Sequence, residues 1–170
     1  MGRAGSRLRV RRRREGRTDY HRRLKLLRSG ECRAIVRVTN RRVIVQISRY
    51  SPDGDEIIVS VDGETLVRNF SWPKNASKKS IPACYLVGYA AGKIALREGI
   101  NTAVLDIGLA TSSPGNRRYS ALNGLKDAGM EIPHNESILP SEKRLHGEHI
   151  DASLSKKVEA SKSKIDEVIS

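Results

Sequence analysis

The sequence predicts an α/β domain on a mixed sheet, three antiparallel strands plus one parallel strand packed by helices, set between a basic N-terminal arm and a C-terminal helical extension. Three observations carry this. Residues 32–61 hold three runs of strand-like apolar residues separated by turn signals. Residues 82–98 hold an apolar stripe at helical spacing, and TAVLDIGLA follows as a short apolar run with one acid. A strand reached through a helical crossover lies parallel to a neighbour in its sheet.

Residues 1–17 (MGRAGSRLRVRRRREGR) have many arginines and little to bury, which predicts an arm disordered when free and ordered by a partner. Thr18 is placed to cap a helix of about 11 residues ending near Ser29-Gly30. Tyr20, Leu24 and Leu27 form its apolar stripe, with His21, Arg22, Arg23, Lys25 and Arg28 over the remaining surface. In CRAIVRVTN, Cys32, Ala34, Val36 and Val38 alternate with Arg33, Ile35, Arg37 and Thr39, the period of a strand with one buried face. Asn40-Arg41 is a turn, Val43, Val45 and Ile47 continue on a second strand, and SPDGDE turns the chain into a third, EIIVSV.

SWPKNASKKSI reads as a polar, basic loop before a helix with Pro82 in its first turn, running to about Glu98. Leu86, Val87, Ala90, Ile94 and Ala95 are its stripe, and Gly88, Ala91 and Gly92 allow the backbone close to a sheet. After the fourth strand, the loop ATSSPGNRR leads into a helix through Ala121, Leu122, Leu125 and Ala128, capped by Ser113 or Asn116 and closed by Gly129. Residues 18–134 are the expected globular domain and residues 135–150 should wrap it. The last stretch puts Leu154, Val158, Ile165 and Val168 on one helical stripe with Ser161, an appendage suited to docking on a partner.

Charge narrows the function. Lys and Arg number 32 against 19 Asp and Glu, a net +13, and twelve of the basic residues fall within residues 1–28 against only Glu15 and Asp19. Basic charge concentrated in one stretch is the footprint of a polyanion partner. Arginine dominates that stretch, and its planar fork grips phosphate bidentately or stacks on a base. A membrane surface is the rival polyanion, but no apolar run of about 18 residues could span a bilayer and no apolar stretch follows the N-terminal charges as a signal. A soluble, cytoplasmic protein is expected. Seven aromatics argue against base-after-base stacking and for recognition of phosphates and shape.

The residues expected at RNA are Arg11, Arg12, Arg13, Arg14 and Arg17 of the arm, with Tyr20, Arg22 and Arg23 of the first helix. Arg33 and Arg37 share the sheet face expected to be wet, beside Asn40, Arg41 and Arg42 of the turn. Lys78 and Lys79 join from the basic loop. In SSPGNRRYS, Arg117 and Arg118 fall in the first helical turn, where free amides attract phosphate and Tyr119 is placed to stack on a base.

Catalytic readings fare poorly. GYAAGKI lacks the spacing and the hydroxyl of a phosphate-binding loop, HGEH (His146, His149) lacks the HExxH arrangement, and Cys32 and Cys84 form no CxxC pair. A nuclease using Asp106 would need further converging carboxylates; Asp53, Asp55 and Asp62 sit instead at turns or strand ends. No catalytic residue, metal, cofactor or small-molecule substrate is expected.

The runs RRRREGRTDYHRRLKLLRSG, VRVTNRRVIVQI, PACYLVGYAAGKIAL, LDIGL and AGMEIPH through ILPSEKRLHGEHI, taken together and in order, resemble the archaeal form of the universal large-subunit ribosomal protein L-eighteen family, whose eukaryotic counterpart is called L-five. The resemblance covers about residues 8–150. It implies a fold of the translational-machinery type and a non-enzymatic protein of the large ribosomal subunit. The implied partners are 5S rRNA, large-subunit rRNA and neighbouring proteins of the central protuberance. The family's RNA-contacting segments correspond to Arg11–Arg14, Arg17, Tyr20, the turn with Arg37, Asn40 and Arg41, and the loop with Arg117 and Arg118. That loop departs from the YHGR-like element of the bacterial branch, keeping the glycine, the arginines and an aromatic.

Overall fold

The computed structural model describes residue 8, residues 11–151 and residues 153–169. The expectation of disorder over residues 1–17 falls partly on residues 1–7, 9 and 10, which lie outside the described residues. The rest of the arm includes a single helical turn, α1 (Arg11–Arg14), on which Glu15 pairs with both Arg11 and Arg17 at 2.6 and 2.7 Å.

Helix α2 (Tyr20–Leu27) begins one residue later than predicted, because Asp19 and not Thr18 caps it, accepting from the amides of His21 and Arg22 at 3.0 Å. A carboxylate there satisfies otherwise unpaired amides and opposes the positive helix end. The helix is also turned from the predicted stripe, of which Leu27 alone is half-buried. Tyr20 and Leu24 of the predicted inner stripe are 39% and 57% exposed, while Arg23 and Leu26 are half-buried.

The sheet follows the sequence pattern. Strands β1 (Arg33–Val38), β2 (Val43–Arg49) and β3 (Glu56–Asp62) are antiparallel neighbours, and β4 (Val104–Asp106) adds to β1 in parallel, in the order β3-β2-β1-β4. Ala34 faces Ile47, Val36 faces Val45, and Val45 faces Val61 across the next ladder, so one face is a continuous apolar surface.

Two helices stand between β3 and β4. Asp62 ends β3 and caps α3 (Gly63–Asn69), accepting from the amides of Glu64 and Thr65; no element is predicted there from the sequence. Helix α4 (Ile81–Arg97), capped by Ser80, is buried around nearly its whole circumference from Ile81 to Gly92. A single stripe does not describe it, because the sheet covers one side while α5 (Arg117–Asp127) and α7 (Ser153–Ile169) cover the other. Gly88 and Gly124 make the crossing possible. They bring α4 against α5, not against the sheet as predicted: a Cβ at Gly88 would stand 2.1 Å from the Ala121 carbonyl oxygen.

Residues 135–150 wrap the domain through a short 3-10 turn (Glu136–Ile138) and α6 (Glu142–Leu145). The C-terminal helix is no appendage awaiting a partner. Leu154, Val158, Ser161 and Ile165 are buried in the chain's own core, and Tyr89 of α4 donates to Asp166 at 2.8 Å. Lys162 reaches the Tyr85 hydroxyl at 3.1 Å and lies over the Tyr89 ring. Only Val168 of the predicted stripe stays outside, at 50% exposure.

Candidate nucleic-acid interface

The sheet face turned away from α4 carries a chain of alternating charges. Arg33 is 1% exposed, its guanidinium lodged between Asp55 at 2.5 Å and Asp106 at 3.1 Å. Arg23 of α2 reaches the same Asp55 with bonds of 3.0 and 2.9 Å, so one carboxylate pins the helix to the sheet. Arg37 donates to the Asp106 carbonyl at 2.7 Å and to its carboxylate at 3.1 Å, while its side chain stays 42% exposed. Arg22 donates to the carbonyl of Gly108 at 2.5 Å. Gly108 takes φ +63° to present that oxygen, and a Cβ there would meet the Arg37 guanidinium at 2.9 Å.

These bonds correct two sequence readings. Arg33 belongs to the polar phase of β1 but is a buried structural ion and is not free to meet RNA in this fold, because two acids from distant segments converge on it. Asp106, the acid of the nuclease alternative, is occupied by Arg33, Arg37 and the Gly108 amide and serves as their counter-ion.

Desolvation would raise the Asp55 carboxyl, but hydrogen bonds from Arg23 and Arg33 and the charge of both outweigh it and hold the group below its usual 3.8. A lowered carboxyl contributes stability above its unfolded value and loses it as pH falls through the folded one. The docking of α2 is therefore expected to be intact at neutral pH and to loosen below about pH 4. Amide hydrogen exchange of residues 20–27 at descending pH measures this; unchanged protection of α2 down to the acid unfolding of the whole domain would contradict it.

At the start of α5, Asn116 is the cap, accepting from the amides of Arg118 and Tyr119 at 2.9 and 3.1 Å. Arg117 is exposed and Arg118 turns inward. Tyr119 is 5% exposed with its hydroxyl bonded to Ser112, so the expectation that it stacks on a base is withdrawn: its ring belongs to the core. Burial first, then the charges of Arg117 and Arg37, works against protonation of Arg118, whose Nε is buried without a hydrogen-bond partner among the described residues.

The remaining predicted residues form two smaller groups. In the β1–β2 turn, Thr39 Oγ1 accepts from the amides of Arg41 and Arg42, leaving Asn40 and Arg41 exposed while Arg42 pairs with Asp62 at 3.2 Å. Lys78 is held by both oxygens of Glu64 at 2.8 Å, and Lys79 donates to the Asn40 carbonyl at 2.7 Å. Beyond that turn, Lys79 and Arg117 line a second cleft with Arg144 and His149. The principal cleft gathers Arg12, Arg17, Arg22, Arg23, Arg37 and Arg118 from the arm, α2, β1 and α5. Converging guanidiniums of this kind suit the phosphates of a folded nucleic acid.

A family model described as ribosomal large subunit proteins 60S L5 and 50S L18 matches residues 6–100 and 89–135. The chain belongs to this family. It is 46% identical over 160 residues to the large ribosomal subunit protein uL18 of Korarchaeum cryptofilum, covering 94% of this chain and 80% of that one. With the uL18 proteins of Haloquadratum walsbyi and Methanothermobacter thermautotrophicus it shares 49% and 47% identity over 143 residues, covering 84% of this chain and 68% and 73% of theirs.

Membership in the uL18 family makes the chain a structural component of the large ribosomal subunit, non-enzymatic and at work on the cytoplasmic ribosome. Nothing in the sequence of this uL18-family chain marks Asp55 and Asp106 as organisers of the arginines, or Arg144 as a neighbour of Arg117. Arg144 lies 27 residues from Arg117 and reaches it only because the wrapping segment returns to the Gly115 loop, where a Cβ would stand 3.3 Å from its Nη1.

Proposed function

We propose that this uL18-family protein binds 5S rRNA and helps attach it to the large-subunit rRNA in the central protuberance, beside neighbouring large-subunit proteins there. The observation that carries the reading is the arginine cleft, in which side chains from four separate elements converge. Arg11, Arg12, Arg13, Arg14 and Arg17 extend it along the arm, with Tyr20 and Arg22 on α2, and Asn40, Arg41 and Arg117 provide further exposed contacts. In this reading the arm anchors and the folded surface selects: phosphate contacts set register, while the fixed spacing of Arg37, Arg41 and Arg117 matches the shape of one folded RNA.

Equilibrium binding to 5S rRNA across a salt series tests this. Six to ten neutralised phosphates are expected to lower affinity on the order of 10³- to 10⁵-fold between about 50 and 200 mM salt, taking duplex DNA as the guide. Nearly salt-independent binding, or equal affinity for any RNA duplex of the same length, would overturn the proposal.

A further inference from the structure

We propose that the cleft between α2, β1 and the loop after β4 is a pocket for a single nucleotide, with the phosphate on Arg118 and Arg12 and the base against the apolar wall formed by Leu26, Ile35 and Leu109. The inference rests on the RNA-binding reading for the source of that nucleotide, but the pocket itself is argued from its walls.

The cleft measures about 430 Å³, within the size of small-ligand sites and much larger than one phosphate requires. Its charges do not balance internally. Asp55 is taken by Arg23 and Arg33, Asp106 by Arg33 and Arg37, and Asp19 by the amides it caps. Arg12 and Arg118 then have no carboxylate partner among the described residues, and the Arg118 Nε is buried with no acceptor. Arg118 as a whole is only half-buried and lines the cleft, so its guanidinium, without a carboxylate, is a charged donor that a phosphate entering the cleft would satisfy.

Among the arginines, the same cleft is lined by Leu26 and Ile35, which are half-buried, and by Leu109, which is 60% exposed. A bare inorganic anion has no use for such a wall, whereas a base gains by leaving water against it. A duplex is too wide to enter, so an RNA nucleotide must be turned out of its stack to reach the floor. A free mononucleotide offers the same chemistry, and the two sources are separable by experiment.

The full-length protein, labelled at the arginine Nε and at leucine and isoleucine methyls, is titrated with inorganic phosphate and with adenosine 5′-monophosphate. Phosphate is expected to move the Arg118 and Arg12 Nε resonances and no methyl. The nucleotide is expected to move Arg118 together with the Ile35 and Leu109 methyls, and to bind about tenfold more tightly, as one base-sized apolar contact implies. In parallel, Arg118→Gln and Leu109→Ser are each expected to weaken 5S rRNA association about tenfold; both positions are partly or largely exposed, and an unchanged melting temperature verifies the fold. If the nucleotide moves both walls but neither variant alters RNA binding, the pocket stands with free nucleotides as its source. If the nucleotide moves only the arginines, as phosphate does, the pocket is a general anion site and the proposal fails. If wild type binds 5S rRNA while the nucleotide moves nothing and both variants bind equally well, the pocket is overturned and the RNA reading survives. Loss of 5S binding by wild type, with the nucleotide still moving both walls, would remove the RNA reading and leave the pocket.

Discussion

Replacing Arg33 by methionine is expected to lower the stability of the domain by about 3–5 kcal/mol, the cost of removing one member of a buried ion pair and stranding the other. Methionine keeps most of the aliphatic stem, so packing changes little and the loss reports the charge. Two acids are affected at once. Asp106, 7% exposed, would be left to Arg37 and the Gly108 amide, and Asp55 to Arg23. A urea titration at neutral pH, followed by helical circular dichroism, measures the change. Loss below about 1 kcal/mol would mean that Arg37 and Gly108 alone satisfy Asp106, and that the pair is no stronger than an exposed one. Arg37 is expected to keep its place in the variant, because its shortest bond goes to the Asp106 carbonyl and not to the carboxylate. RNA binding by the folded fraction should therefore fall much less than stability does.

Arg33 also shows where the sequence stops being legible. Alternation identified β1, β2 and β3 because one face of each meets α4 or α5 and must be apolar, and the buried phase was read correctly at Ala34, Val36, Val43, Val45 and Ile47. The opposite phase carries no such constraint. A charged residue there reads as solvated unless its counter-ions are known, and those of Arg33 lie 22 and 73 residues away. The same ambiguity turned α2: Tyr20, Leu24 and Leu27 make a good apolar stripe, yet only Leu27 is half-buried, and Arg23 is drawn inward by Asp55, a partner no helical periodicity can reveal. Helix α3 did have a local signal, Asp62 capping the amides of Glu64 and Thr65, masked by its position at the end of a strand. Of the candidate RNA residues, the exposed arginines and Asn40 were legible from charge and turn chemistry. Tyr119 was not, because an aromatic in the first turn of a helix looks the same in sequence whether its ring faces solvent or core.

Gly124→Ala is expected to destabilise the domain by about 3 kcal/mol, at the upper end of ordinary overpacking, although alanine favours a helix by about 1 kcal/mol over glycine. The added Cβ would stand 2.1 Å from the carbonyl oxygen of Tyr85 and 2.6 Å from the amide nitrogen of Tyr89, both backbone atoms of α4. No rotamer change can relieve such a contact; the two helices must separate or bend. Gly92→Ala is the comparison, since its nearest obstacle is the Ala128 side chain at 2.6 Å and its closest backbone contact is 3.3 Å. A smaller loss is expected there. Thermal melts of the two variants decide the matter, and equal losses would show that the crossing yields as readily to a backbone clash as to a methyl. The consequence reaches the proposed RNA surface, because α5 carries Arg117 and Arg118 at its first turn while Arg37 is on β1. A helix pushed off α4 moves one wall of the arginine cleft relative to the other. In the fraction of Gly124→Ala that remains folded, 5S rRNA affinity is therefore expected to fall further than in Gly92→Ala, with no charge removed from either protein.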